Sequence, residues 1–304
     1  MNITLRQVAY FIAVAEAGSV SGGAAAVGIS QSAITDALKA LEEQTGTRLF
    51  ERHARGMVLT YPGHQFLRHA RTIIAAVTDA QTALKTRPEA VQGSLTLGVT
   101  SLVSGYFLAD LLARFRRNFP NVSVRVAEEE RTYVEHLIGN GELAVALMLV
   151  SNIADRSAIE SEILLRSESR VWLPPGHPFL ARESVTLAEI APEPLIALAI
   201  DEIDEAATAM WRGAGLRPNR VLRTASVEAV RSLVATGAGI AVLPDMAYRP
   251  WSLEGDRIEA LAIADRPPTL DVGLVWRRGS RLSTPAETFI QLARTYQPAR
   301  GRLG

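Results

Sequence analysis

The chain has no cysteine, which excludes disulfides, thiolate nucleophiles and cysteine-bound metals. It has no apolar run approaching the roughly 20 residues of a membrane span. The opening residues, MNITLRQ, lack the basic-then-apolar grammar of a secretory signal, so a cytoplasmic protein with no membrane partner is expected. Net charge is missing too, since 32 basic side chains balance 32 acidic ones. Even residues 1–87 are only mildly basic, with nine basic against six acidic side chains. Nucleic-acid modules often carry a stronger basic footprint. Catalytic signatures are absent as well: no Gly-x-Ser-x-Gly, no phosphate-binding loop and no His-Glu-x-x-His. Gly237-Ala-Gly239 is a lone Gly-x-Gly, and His64 and His69 miss the i, i+4 register by which one helix face holds a metal. No enzyme activity, cofactor or metal is expected.

What is present begins with length. The 304 residues suit about two domains, and 48% hydrophobic with 21% charged residues is a soluble globular composition. A first helix is predicted over Thr4–Ala17, where Thr4 and Gln7 form a capping box and Leu5, Val8, Phe11, Ile12 and Ala15 recur at helical spacing. Gly18 stops it, and a short second helix over Val20–Val27 ends at Gly28. Ser30 then caps a third helix whose Ile34, Leu38 and Leu41 form an apolar stripe, closed by Gly46. Burying that stripe turns Gln31, Ser32, Thr35, Asp36 and Lys39 outward. Such a row describes a solvated face equally well. The tight helix pair before it and a basic hairpin after it favour a groove reader. The hairpin runs from Leu49 to Leu59, with Arg52, His53, Arg55 and Gly56 at its turn, where arginines reach phosphates or a narrow minor groove.

A long helix follows, from about Pro62 to Lys85. Phe66, Ala70, Ile73, Val77, Ala80 and Leu84 step by four and three, a heptad seam suited to pairing with a second copy. Leu67 and Ile74 form a second apolar row that lets the same helix touch its own domain. The polar run from Thr86 to Gly93, with Pro88, breaks it. From Ser94 strands alternate with helices: SLTLGV, VSVRVA, AVALMLV, RVWLPP, PLIALAI, RVLRT, IAVLP and LDVGLVW read as strands, which predicts parallel sheets flanked by helices. A helix over Phe107–Phe119 ends at Pro120.

With these residues in hand, the chain resembles the LysR-type transcriptional regulators over nearly its whole length. ISQSAITDALKALEEQTGTRLFER is similar to the family's recognition helix and wing. The family pattern Ser-Gln-x-x-x-Ser/Thr, Leu-Glu, Leu-Phe-x-Arg is met by Ser30, Gln31, Thr35, Leu41, Glu42, Leu49, Phe50 and Arg52. MVLTYPG resembles the entry to the linker helix, and FPNV, GNGEL, GHPF and VATGAGIAVLP follow in the order of the effector domain. There are departures. Ser32 stands where proline is frequent, Asp36 where a basic or neutral residue is usual, and Ala144 where an acidic one is. Gly22 and Gly23 occupy the second helix, each at about 0.5–1 kcal/mol relative to alanine.

The resemblance implies a winged helix-turn-helix at 1–60, a linker and dimerisation helix at 61–87, a hinge at 88–92 and an effector-binding domain at 93–304. That domain is a two-lobed α/β fold like the periplasmic binding proteins, with lobe 1 about 93–164 and 267–304 and lobe 2 about 165–266. It implies a DNA-binding regulator switched by a small-molecule effector, a dyad-symmetric double-stranded operator, homodimers assembling to a homotetramer, and RNA polymerase as a further partner. DNA contacts are expected from Ser30, Gln31, Ser32, Thr35, Asp36, Lys39, Arg52 and Arg55, with Asp36 able to accept from cytosine N4. Effector contacts are expected from Thr100, Ser101, Ser104, Glu128, Met148, Ala199 and Asp201. The acidic run Glu128–Glu130 favours an amine-bearing ligand if it faces the cleft and is otherwise a solvated strand end, with Arg131 beside it as a partial counter-charge. The run Asp201, Glu202, Asp204, Glu205 loads a helix N-terminus. An enzyme and a protein-binding winged helix are the rival classes, the second motivated by the low charge.

Overall fold

The computed structural model describes residues 3–53, 56–85, 90–153 and 156–296. The chain falls into two units, one from Met1–Pro88 and one from Glu89–Pro298.

The first unit opens with α1 (Leu5–Ala17), where the Gln7 N–H donates to Thr4 Oγ1 at 3.2 Å and the Thr4 N–H donates to Gln7 Oε1 at 2.8 Å. Next come α2 (Val20–Val27), capped by Ser19, and α3 (Gln31–Thr45), capped by Ser30. The wing is an antiparallel hairpin of β1 (Phe50–His53) and β2 (Gly56–Leu59), and α4 (Tyr61–Lys85) closes the unit. Val8, Phe11, Val14, Ile34, Leu38, Leu41, Leu49 and Phe50 form one buried core. The Phe11 ring lies at its centre, 5.0 Å from Phe50 and 4.9 Å edge-on from Phe66.

That core corrects the heptad seam. Ala70 is fully buried in it and Phe66 packs on Phe11, so both positions are taken within one chain. The cause is that the first half of α4 lies against α1, clasped by Arg71 and Glu16 at 3.0 Å. Ile73 at 41% exposure, half-buried Val77 and exposed Ala80 keep an outward surface. The side chain of Leu84 lies outside the described residues.

Two glycines set the geometry. A Cβ on Gly23 would lie 2.5 Å from Val14 Cγ2 and 2.9 Å from its Cα, so the close approach of α1 and α2 requires glycine there. Gly56 adopts φ 127°, and a Cβ on it would lie 2.4 Å from the Gly18 carbonyl oxygen, which accepts from the Met57 N–H at 2.9 Å. The hairpin is thereby anchored to the end of α1.

The second unit runs β3 (Gly93–Val99), α5 (Ser101–Val103), a π turn (Ser104–Leu108), α6 (Ala109–Asn118), β4 (Val122–Glu128), α7 (Arg131–Asn140), β5 (Val145–Leu149) and β6 (Ile159–Ser167). The chain then crosses to β7 (Ser169–Leu173), β8 (Ser184–Val185), α8 (Leu187–Ile190), β9 (Leu195–Leu198), α9 (Asp201–Gly213), β10 (Arg220–Thr224), α10 (Val227–Ala235), β11 (Ala241–Pro244) and β12 (Glu259–Ile263). It returns with β13 (Leu270–Arg277) and α11 (Thr284–Arg294). The first lobe is a five-stranded sheet ordered β4-β3-β5-β13-β6. The second holds a four-stranded sheet ordered β11-β7-β12-β8 and the pair β10-β9, linked by a bridge between Leu195 and Ile240.

Neither main sheet is purely parallel, contrary to the sequence expectation. β13 runs antiparallel to β5 and β6, and β7 antiparallel to β11 and β12. β6 and β7 are separated by Glu168 alone as the chain passes between lobes. The helix expected from Phe107 begins earlier, at Ser101, and runs through the π turn.

Candidate functional site

In the first unit, α3 presents Gln31, Ser32, Asp36 and Lys39 to solvent, with Thr35 half-buried. Ser30 Oγ accepts the Ala33 N–H at 3.2 Å and lies 3.1 Å from Ser32 Oγ. Lys39 leans toward Glu43 at 3.9 Å. Arg52 is exposed on β1, and Arg55 lies outside the described residues. Glu42 behaves differently from its neighbours. Its Oε1 accepts the backbone N–H groups of Leu49 at 2.7 Å and Phe50 at 3.0 Å, fixing the entry to the wing against α3. Thr60 repeats this at the far end, donating to the Arg48 carbonyl at 2.8 Å and accepting the Gly63 N–H at 3.0 Å. Helix and hairpin are thus held in a fixed relation to each other.

In the second unit the two lobes meet at the carboxyl ends of β3 and β5, the crevice position typical of ligand sites in α/β folds. Thr100 ends β3 at 2% exposure, and its hydroxyl is buried with no partner among the described residues. Its N–H donates to the Leu147 carbonyl at 3.3 Å, and its carbonyl accepts the Ser104 N–H at 2.8 Å. Ser101 is exposed beside it and Ser104 half-buried. Across the cleft the Ala199 N–H donates to the Thr224 carbonyl at 2.7 Å, just before α9 opens at Asp201, whose side chain lies outside the described residues.

Two clasps join the lobes. In the first, Glu202 of α9, at 1% exposure, accepts the Leu149 N–H at 3.3 Å, and Asn152 Nδ2 donates to the Glu202 carbonyl at 3.1 Å. Arg131 bonds Glu135 and Glu205 at 2.9 Å each, and the Asn152 carbonyl at 2.9 Å. In the second, Tyr106 of the π turn donates to Glu228 of α10 at 2.7 Å, and Arg249 lies 5.4 Å over the Tyr106 ring. Glu228 also pairs with Arg231, which donates to the Ala247 carbonyl at 2.8 Å and lies 5.5 Å over Trp172. Burial resists ionisation of Glu228, but hydrogen bonds from Arg231 and Tyr106 outweigh it and hold the carboxyl below its usual range. Burial, with the bond to Glu228, pushes the Tyr106 phenol up.

Two expectations need correction, those for Met148 and for the Glu202 and Glu205 run. Met148 is fully buried under α7 among Val134, Ile138 and Val275, so it packs the first lobe and lines no cleft. Arg131, expected as a partial counter-charge to the exposed Glu128–Glu130 edge, pairs with Glu135 and Glu205. Glu202 and Glu205 do more than load a helix end, since both reach the first lobe. The Glu129 N–H donates to the Val99 carbonyl at 3.0 Å, which puts that acidic edge next to Thr100. Tyr106, Glu228 and Arg249 carry no sequence signal: Tyr106 sits in an apolar stretch, and Glu228 reads as a first-turn helix acid.

The head-and-cleft arrangement has counterparts among known proteins. The family described as bacterial regulatory helix-turn-helix protein, lysR family, matches residues 5–64, and the LysR substrate binding domain matches residues 88–298. This chain belongs to the LysR family. It is a DNA-binding transcriptional regulator with an effector-binding domain. The uncharacterized HTH-type transcriptional regulator YnfL of Escherichia coli is 30% identical, over 95% of this chain and 97% of that protein. A probable hydrogen peroxide-inducible genes activator from Mycobacterium avium is 29% identical, over 91% of this chain and 89% of its own length. Among solved structures, HinK, a LysR family regulator from Pseudomonas aeruginosa, superimposes with a TM-score of 0.62 at 27% identity, covering 96% of this chain and 98% of HinK. In this regulator α1, α2, α3 and the hairpin lie within the matched helix-turn-helix segment, and the two-lobed unit lies within the matched substrate binding domain.

Proposed function

We propose that this regulator binds a dyad-symmetric operator as a homodimer that assembles further to a homotetramer, and that a small molecule held between the lobes switches it. Thr100 carries this reading: its buried hydroxyl has no partner among the described residues, which costs stability, and a ligand acceptor would repay it. Ser101 and Ser104 add hydroxyls just after it in the chain, and Ala199, ahead of α9, is the second lobe's contribution to this reading. The exposed Glu128–Glu130 edge beside Thr100 suits an amine. A compact ligand carrying both an oxygen-rich group and an amine meets both ends of the site. The Mycobacterium relative is named for peroxide, but a chain without cysteine has no thiol to oxidise.

Pairing of copies rests on the outward stripe Ile73, Val77 and Ala80 of α4. The effector domain offers further association surface at β10, an edge strand with Val221 at 52% exposure and Leu222 beside it. Several linked heads raise avidity without new contacts, which offsets the weak basicity of each. A DNA target suits a cytoplasmic regulator, with RNA polymerase as a further partner whether it activates or represses. A gel-shift titration of the full chain on its own upstream region tests the DNA reading, since affinity must fall as salt rises. A thermal-shift screen of amino acids, amines and organic acids tests the cleft. Stabilisation by none of the three classes would remove the proposed ligand.

A further inference from the structure

Helix α3 carries an acid at the centre of its outward face. At 100° per residue, Asp36 sits roughly opposite the buried stripe of Ile34, Leu38 and Leu41, with Ser32, Lys39 and Glu43 flanking it. It is exposed and has no hydrogen-bond or ion-pair partner among the described residues. Lys39, one turn on, leans to Glu43 at 3.9 Å and leaves Asp36 unneutralised. The outermost row therefore holds two carboxylates and one ammonium. A row of that sign is repelled by phosphates, so its contacts must lie on base edges.

Thr35 sharpens the chemistry. Its hydroxyl donates to the Gln31 carbonyl at 2.7 Å, so the proton is spent inside the helix and only lone pairs face outward. Adjacent positions 35 and 36 thus offer acceptors alone. In the major groove guanine presents two acceptors and thymine an acceptor and a methyl, so neither offers a donor to the Asp36 carboxylate. Adenine sets the N7 acceptor beside its amino group. Cytosine presents the N4 amino group with no acceptor next to it.

We propose that Asp36, supported by Thr35, reads cytosine N4 at one base pair in each half-site of the operator. The proposal rests on the DNA-binding reading and makes Asp36 a specificity determinant of it.

The test is selection of the full-length regulator on a library randomised around its own upstream site, repeated with Asp36→Ala, Asp36→Asn and Thr35→Val. Asp36 is exposed, so its variants retain the fold. The parent should prefer cytosine at one dyad-related pair of positions by on the order of tenfold. Asp36→Ala should flatten that preference, Asp36→Asn should move it toward adenine, and Thr35→Val should weaken it. An Asp36→Ala variant that binds all sequences more tightly with unchanged preference would overturn the proposal, because the carboxylate would then face phosphate. Unchanged binding in both Asp36 variants would overturn it as well. Absence of any selective binding by the parent would instead strike the DNA-binding reading itself, and this proposal with it.

Discussion

Tyr106 Oη donates to Glu228 Oε1 at 2.7 Å, tying the π turn of the first lobe to the head of α10 in the second. A hydrogen bond to a charged group is worth about 1.5–3 kcal/mol net, less where water competes. Tyr106→Phe keeps the ring beneath Arg249 and removes the hydroxyl that makes this bond and sits beside Arg231. It should destabilise the effector domain by about 1–2 kcal/mol, which lowers its melting temperature by a few degrees. Hydrogen exchange should rise at the start of α10. Unchanged melting and exchange would mean that this bond does not help to hold the two lobes together.

Glu228 makes stability depend on pH. Its folded carboxyl lies below the usual range, so the unfolded chain binds more protons near the ordinary carboxylate value of ~4.3. The contribution is present above that value and is lost as pH falls through the folded one. Denaturant midpoints measured between about pH 3 and 7 should therefore fall less steeply on the acid side for Glu228→Gln than for the parent. Equal acid slopes would remove Glu228 from the set of stabilising carboxylates.

Thr100→Val separates stability from response. The unpartnered hydroxyl costs on the order of 1 kcal/mol in the empty protein, and valine fills the same space without it. The variant should melt at the same or a slightly higher temperature while losing the ligand-induced shift given by the parent. A variant that melts lower would show that Thr100 serves the fold instead.

Gly23→Ala pits two effects of known size against each other. Alanine gains about 0.5–1 kcal/mol of helix propensity. Its Cβ would meet Val14 backbone atoms at 2.9 Å, and overpacking against backbone costs about 1–3 kcal/mol. The clash wins, so chemical denaturation followed by circular dichroism should show a less stable head. A more stable head would mean that α1 and α2 separate at little cost.

How much of this was legible in the sequence depends on range. Thr4 with Gln7 and Ser30 mark helix starts because capping is local, and the structure begins α1 and α3 one residue after each cap. The face of Met148 was not legible, because all of β5 is buried on both sides and no alternation shows which way a residue points. β6, β8 and β12 escaped notice: IESEILLRS mixes charge with apolar residues, and the other two are two and five residues long. Tyr106 and Glu228 are 122 residues apart, beyond any local pattern. Asp36 was visible as an anomaly, while the spent proton of Thr35 beside it needed coordinates.

The seam on α4 yields the last prediction, because one heptad pattern served two masters. Phe66 and Ala70 face the core of their own head, whereas Ile73, Val77 and Ala80 face outward. Periodicity alone does not distinguish them, since the a/d spacing of a pairing helix is also that of a helix packed on its own domain. The two halves should fail differently. Ile73→Glu with Val77→Glu places two like charges in each paired stripe and should dissociate the copies while each head stays folded, seen by sedimentation as a smaller species with unchanged circular dichroism. Operator affinity should then fall steeply, since one head alone loses the avidity of the pair. Phe66→Ala should instead lower head stability by about 3–5 kcal/mol through the cavity left against Phe11, a loss read in its unfolding midpoint. If the double variant sediments as the parent does, the copies pair through another surface, and β10 with its exposed Val221 and Leu222 is the place to look next.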